Sequence, residues 1–459
     1  MYWANFLHIY QPPTQKGYWV KKIANESYRK IIKGLKENPQ AKVTLNINAV
    51  LTELFEKFNC SDVIAGIKEL ATKGQIELTA SAKYHPFLPL MPEEEIKRQI
   101  ELNTETNKKY FGKAFNPAGF FPPEMAYSRK VGEVVAKAGY KWLILDELAH
   151  SGETKKIDWS KTYTLKGYDD FNIFFREREA SFRILSAEIG MSIFSSGMLI
   201  KLLGDRVNKN EYLITAMDGE TFGHHRPGLE DLLFDLFNTK ELQSVHISEL
   251  SKLFKNSESV EPRNSSWALM KRDIEQNTPY SRWQDKDNAI HAMQWQLTDL
   301  ALNSIKSIDQ KSKDYNKMRN ALDQAIHSDQ YWWASAMPWW SIEMIEAGAR
   351  DLQNVVLQSN LPKSDKNKAE ELYKKIIYTA FDWQRSGKVD ALAKSADEDV
   401  TQRITTEMPY IPEDEFNKIV ANLEKQMLEA AKAREYERAA QIRDRVDELN
   451  EKKDQITKK

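Results

Sequence analysis

From residue 1 to about 225, short apolar runs alternate with longer stretches whose apolar residues recur every three or four positions. The runs Trp3–Ile9, Lys42–Ile47, Ile76–Ala80, Ala118–Phe121, Lys141–Leu145, Asn172–Phe175 and Tyr212–Met217 have the length and composition of β-strands. Between them, Glu93–Tyr110 and Arg129–Ala138 carry the spacing of amphipathic helices. Strands alternating with helices build a parallel sheet with crossover helices, so the first half of the chain is expected to be α/β. About seven such units predict a barrel or distorted barrel of the TIM type.

After residue 225 strand-like runs become rare and the chain reads as helices rich in Trp, Met and Ala, among them Asp287–Ile305, Asp314–His327 and Ser341–Leu357. The predicted organisation is a barrel over 1–255 and a helical domain over 256–390 whose aromatic loops close the barrel's site. Within the second part, Leu361-Pro362-Lys363-Ser364-Asp365 reads as a surface connection. The acidic stretch 391–415, with Pro409 and Pro412, reads as a linker. A helical hairpin follows over 416–459. Its apolar stripe runs through Leu423, Met427, Ala430, Ala431, Tyr436, Ala439, Ala440, Ile442, Val446 and Leu449. So small a unit buries little area alone and is expected to pair with something.

The ends of the predicted strands carry the chemistry. In order they run into His8, Asn48, His85, Glu124, Asp146, Arg176-Glu177 and Asp218. In a parallel barrel the C-terminal strand ends share one rim, so these groups would line a polar, partly acidic pocket. Two of them stand out. Gly119-Phe120-Phe121-Pro122-Pro123 stops on Glu124, and Tyr212–Met217 stops on Asp218-Gly219-Glu220-Thr221-Phe222-Gly223-His224-His225. Glycoside hydrolysis needs such a pair: one carboxylate attacks or stabilises the sugar's cationic centre, and a protonated one assists the leaving oxygen. A separation of roughly 5–5.5 Å gives retention and a wider one inversion. The other reading makes each acid a cap for the helix or turn that follows it. Spacing alone leaves both open.

Composition narrows the partners. Lys and Arg number 66 against 67 Asp and Glu, a net charge of −1, so neither nucleic acid nor an anionic membrane is expected as a ligand. The single cysteine, Cys60, excludes an intramolecular disulfide and fits a reducing compartment. No signal peptide is apparent in Met1–His8 and no apolar run is long enough to span a bilayer. A cytoplasmic protein is expected. Trp267, Trp283 and the pairs Trp332-Trp333 and Trp339-Trp340 either stack on sugar faces or fill the helical core. His224 and His225, with His8, His85 and Asp218, raise the idea of a zinc or manganese centre. Hydrogen bonding to sugar hydroxyls or to their own loop is the reading adopted here, with no metal and no cofactor expected.

Three of these segments resemble the motifs of glycoside hydrolase family 57. His8-Ile9-Tyr10-Gln11-Pro12-Pro13 is similar to the first. Gly119–Ala126 resembles the third, whose glutamate is the nucleophile, and Ala216–His225 resembles the fourth, whose aspartate is the acid/base. The resemblance spans roughly residues 1–350 and implies a (β/α)7 barrel followed by a helical bundle. It implies Glu124 as the attacking carboxylate and Asp218 as proton donor and then base, with His8 and Gln11 lining the subsite of the reacting sugar. His85, Glu220, His224, Trp267 and Trp339 complete the candidate substrate-binding set. Many members have histidine where this chain has Tyr10, and the second-motif region around Ala80–Pro86 matches loosely. The family's activities include α-amylase, 4-α-glucanotransferase, branching enzyme and α-galactosidase, so the expected substrate is an oligo- or polysaccharide of the α-glucan type. A metal-dependent polysaccharide deacetylase on a related barrel, and a non-catalytic glycan-binding or scaffold protein, are the alternatives. The tail, through Leu423–Ala431 and Tyr436–Asp444, resembles the UVR motif, a helical hairpin that docks protein partners. A plain coiled-coil hairpin used for self-association is the other reading.

Overall fold

The computed structural model describes residues 1–185, 196–396, 413–451 and 453–457. Seven parallel strands form its centre: β1 (Tyr2–Ile9), β2 (Val43–Ile47), β3 (Ile76–Thr79), β4 (Gly119–Phe120), β5 (Trp142–Asp146), β7 (Tyr168–Arg176) and β8 (Tyr212–Asp218). β6 (Thr162–Leu165) lies between β5 and β7 in sequence and pairs antiparallel with β7. Two sheets, ordered β3-β2-β1-β8 and β6-β7-β5-β4, are joined at both ends. Ala80 just after β3 bridges to Phe120 of β4, with the Ala80 amide donating to the Gly119 carbonyl at 2.9 Å. On the other side, the Glu177 amide after β7 donates to Ile214 of β8 at 2.7 Å. The ring β1-β2-β3-β4-β5-β7-β8 is therefore a distorted (β/α)7 barrel. The strand runs expected from the sequence differ from the observed ones mainly by a residue or two at each end. The exception is β7, which starts four residues earlier because it also forms the hairpin with β6.

Burial follows the two-residue period of a strand covered on both faces. Along β1, Ala4 and Phe6 enter one hydrophobic cluster while Trp3 and Leu7 enter another. Along β8, Ile214 and Ala216 share the first cluster and Leu213 and Met217 the second. The register sets His8 beside Asn46 on one side and Asp218 on the other. All three thus share the face of Phe6 and Ala216.

Beyond the barrel, β9 (Gln243–Ser244) pairs with β1, and β10 (Ser257–Val260) pairs with β6, so sheet structure continues past residue 255. Four helices, Ala289–Lys306, Lys313–Ala325, Ile342–Gln358 and Lys363–Ser386, then pack on one another. A buried ion network locks this bundle to the barrel: Arg319 donates to Glu95 and Asp323, and Arg98 donates to Asp323 at 2.6 Å. Of the linker expected at 391–415, residues 397–412 lie outside the described residues. The tail forms two packed helices, Glu413–Lys432 and Tyr436–Glu451, with a short Lys453–Thr457 segment. Its apolar face packs onto the barrel itself: Phe416 and Leu449 are buried in the second cluster, with Val420 and Leu423 against it. Gln426 donates to Asp231 at 2.9 Å, and Lys22 pairs with Glu437. Tyr436, expected in the apolar stripe, is 68% exposed because it opens the second helix at the hairpin's turn. Among the described residues, no helix is long and apolar enough to cross a membrane.

Candidate functional site

Glu124 sits in a tight turn after β4, with φ of +61° at Glu124 and +46° at Met125. Two successive non-glycine residues in the left-handed region store roughly 1–3 kcal/mol each. The surrounding bonds hold them there. The Trp267 backbone amide donates to the Glu124 carbonyl at 3.0 Å, and the Trp267 indole N–H donates to Glu124 Oε2 at 2.7 Å. Oε1 lies 3.8 Å from His85 Nδ1. The carboxylate does not cap the helix that follows: Arg129–Lys137 begins at Ser128 with no side-chain cap. Asp218, at the end of β8, makes no cap bond either. The helix-cap reading of both acids is thereby removed.

Both carboxyls are pushed to about 8. Burial is the largest cause for each, since it penalises the charged form. The negative charge of Asp218 then raises Glu124 further, and the Trp267 hydrogen bond opposes it. For Asp218 the second cause is Glu220, opposed by the Arg176 guanidinium. Arg176 is itself buried, donating to Asp146 at 2.8 Å, to the Ala216 carbonyl at 3.2 Å and to the Trp267 carbonyl at 3.0 Å. Arg178 joins the same Asp146 at 2.9 Å. Asp146, a strand-end acid in the sequence, is thus the anchor of an ion cluster beneath the site.

Glu220 accepts from the Tyr28 hydroxyl, from the Tyr10 amide at 3.3 Å and from the Gln11 side chain at 3.3 Å. His8 and His85 face each other, Nε2 to Nε2, at 3.2 Å. His8 Nδ1 lies 2.8 Å from Asn46 Oδ1, and His85 Nδ1 lies 2.9 Å from Ser328 Oγ. Burial lowers His8 well below its ordinary range and His85 to about 4. Phe121, His8, His85 and Tyr10 form a stack of rings beside the two acids, with Trp267 edge-on to His8 and Phe121.

The structure therefore brings together His8, Gln11, His85, Glu124, Asp218, Glu220 and Trp267. It does not bring His224 or Trp339 to the two acids. His224 Nδ1 is bonded to Glu26 at 2.6 Å, and its amide donates to the Glu220 carbonyl at 3.2 Å. That loop can lie so close because Gly223 has φ of +100°, and a Cβ there would meet the Glu26 carbonyl at 2.0 Å. Trp339, 46% exposed, has Trp332 and Trp333 as ring neighbours, and Trp283 is a buried core residue. Among the described residues, no group of three or more His, Cys, Asp or Glu is arranged to hold a metal ion.

Three participants escaped the sequence. Asn46 lies one strand position before the visible turn, and Tyr28 lies inside a helical stretch. Asp329 comes from the helical part, where it accepts from the Tyr10 hydroxyl at 2.6 Å. Its only local signal is an acid between one histidine, His327, and the aromatic run Tyr331-Trp332-Trp333.

Comparison with known proteins bears on the family and the fold. The model of the family described as glycosyl hydrolase family 57 matches residues 3–264, and the UvrB/uvrC motif matches residues 417–452. The chain is 26% identical over 231 residues to an alpha-amylase of Pyrococcus horikoshii, covering 50% of this chain and 35% of that protein. It is 25% identical over 170 residues to a 4-alpha-glucanotransferase of Thermococcus litoralis, covering 37% and 25%. It thus spans about a third or less of these curated relatives. The crystal structure of a branching enzyme from Pyrococcus horikoshii shares the fold, with a TM-score of 0.61 at 16% identity, covering 83% of this chain and 96% of that one.

Proposed function

The chain belongs to glycosyl hydrolase family 57, and from that premise we propose that it is a retaining enzyme acting on α-glucans through a covalent glycosyl-enzyme. Glu124 is the attacking carboxylate. Asp218 protonates the leaving oxygen and then, as base, activates water or an acceptor sugar. Hydrolysis and transfer share this intermediate, and the two acids serve both. Gln11, His8, His85 and Glu220 border the reacting sugar.

One observation carries the reading: two mostly enclosed carboxyls at the ends of β4 and β8, close enough for the charge of Asp218 to raise Glu124, both pushed to about 8 mainly by burial, with His85 and His8 beside them. With both near 8, the singly protonated pair, in which one acid attacks while the other donates, is most populated around pH 8. Trp267 favours the charge on Glu124, and Glu220 favours the proton on Asp218. Those two neighbours support the assignment of roles that the family resemblance implies.

Product analysis on maltooligosaccharides, amylose and α-galactosides tests the proposal, with Glu124→Gln and Asp218→Asn alongside wild type. The expected result is turnover of at least one α-glucan that falls more than about a thousandfold in each variant. Turnover unaffected by either substitution defeats the mechanism.

A further inference from the structure

Tyr10 stands where many members of the family have histidine, and the chain uses its hydroxyl for an unusual tie. The phenol donates to Asp329 Oδ2 at 2.6 Å, across 319 residues of sequence. His327 Nδ1 lies 3.0 Å from the same oxygen. No described residue donates to Oδ1, and the Asp329 side chain keeps 19% of its surface exposed. Around this tie the segment carrying Asp329 is laid along the barrel rim. Pro86 and His327 form an antiparallel bridge, and the Ser328 amide donates to the His85 carbonyl at 2.9 Å. The Tyr10 ring lies parallel on the His85 ring, centroids 4.0 Å apart at 13°.

We propose that Tyr10 is a positioning residue: it fixes the helical domain's Asp329 to the barrel rim, so that one carboxylate oxygen is committed to Tyr10 and His327 while the charge faces Glu124 and His85. The proposal rests on the glycosyl-transfer reading above, because Tyr10 acts on the reaction through Glu124. Geometry makes the tie one-sided. A phenol in place of imidazole reaches farther from the strand end, and here it only donates: burial and the charge of Asp329 hold its proton well above the ordinary range. Asp329 responds in kind. Burial alone would raise it, yet the bond to His327, the nearby His85 and the bond from Tyr10 keep it below its usual value. Its anion in turn helps raise Glu124. The groups facing Asp329 are thus Tyr10, His327, His85, Glu124 and, farther off, His8.

Removing the hydroxyl has a determined sign. An Asp329 that has lost its Tyr10 donor either takes up a proton more readily or turns away, and both reduce its repulsion of the Glu124 anion. The test compares full-length wild type, Tyr10→Phe and Asp329→Asn. Hydrogen exchange of the backbone amides in 327–333 reports the tie. The carboxyl stretch of Glu124, titrated by difference infrared spectroscopy against Glu124→Gln, reports its protonation without any substrate. In Tyr10→Phe, exchange over 327–333 is expected to rise about tenfold, and the Glu124 titration to move down by about half a pH unit. Asp329→Asn is expected to move the titration the same way. Unchanged exchange overturns the tie. Faster exchange with an unmoved Glu124 titration in both variants makes Tyr10 merely structural and overturns the positioning role. Wild type inactive on every α-glucan would sink the proposed function, while the infrared and exchange arms still decide this inference by themselves.

Discussion

Replacing Trp267 with Phe deletes one atom pair from the site and leaves the rest of its frame. The Trp267 backbone bonds to Glu124, Arg176 and Arg178 are main-chain bonds and survive. What is lost is the indole N–H donated to Glu124 Oε2 at 2.7 Å. A hydrogen bond to a charged group contributes roughly 1.5–3 kcal/mol. Because Trp267 is only half-buried, the lower end applies, about one pKa unit on Glu124. In the proposed mechanism the active form holds one proton on the pair, on Asp218 and not on Glu124. The two carboxyls start near-equal at about 8, so about half of the singly protonated enzyme is productive. A tenfold bias of that proton toward Glu124 leaves roughly a tenth productive, a loss of about fivefold at the optimum. The last proton also leaves later, so the alkaline limb of the profile moves up by about 0.7 pH units. The assay is kcat against pH on the maltooligosaccharide that wild type turns over fastest. A loss of rate with the alkaline limb unmoved, or moved down, refutes the role given to the indole.

The same buried acids make a prediction about stability. Raised carboxyl values mean that the folded chain binds more protons than the unfolded chain between about pH 4.5 and 8, so the site destabilises the fold progressively as pH rises through that window. Glu124→Gln is therefore expected to be more stable than wild type by on the order of 3 kcal/mol at pH 8 and nearly equal to it at pH 5, read from unfolding midpoints at the two pH values. A constant difference across pH contradicts the burial argument. Phe416→Ala tests the tail: a phenylalanine 1% exposed between hairpin and barrel contributes roughly 3–5 kcal/mol. Limited proteolysis should cut residues 413–457 of the variant while leaving the barrel intact, and a tail as protected as in wild type would mean that its docking depends on other contacts.

Much of the fold was legible because a strand covered on both faces leaves a continuous apolar run, and seven such runs are hard to mistake. β6 and β10 were not, because Thr162–Leu165 and Ser257–Val260 are short and half polar, and they pair at the edge of the ring. In the site, Glu124 and Asp218 announced themselves as charges at the ends of apolar runs. Asn46 did not, since a polar residue inside β2 looks like a face toward water until the register sets it beside His8. Asp329 was hidden for a different reason. Its place is fixed by the packing of the helical bundle on the barrel, through contacts such as Arg319 with Glu95 and Asp323, and no local pattern encodes an interface between segments so far apart. His224 is conspicuous in sequence, and its Nδ1 bond to Glu26 was not foreseeable from its own segment. That Phe416 and Leu449 of the tail join the barrel's outer hydrophobic cluster was not readable from the stripe alone.

The histidine pair gives the site its electrical sign. Asn46 donates through its amide nitrogen to Thr79 Oγ1 and the Ala80 carbonyl, which leaves its oxygen for His8 Nδ1. His8 must then carry its proton on Nδ1 and accept at Nε2, so His85 donates from Nε2 and accepts from the Ser328 hydroxyl at Nδ1. Neutral tautomers satisfy all four ring nitrogens, and burial opposes charging either ring. The nearest guanidinium groups, Arg176 and Arg178, are committed to Asp146. Apart from Arg176, which acts on Asp218, the charge of the site therefore comes from Asp329 and from whichever of Glu124, Asp218 and Glu220 is ionised. A reaction through an oxyanion would meet repulsion there, whereas a sugar developing positive charge at its anomeric carbon is stabilised by it. The amide of one buried asparagine thus fixes a neutral tautomer on His8 and, through it, on His85, so neither ring adds positive charge that would oppose such a sugar.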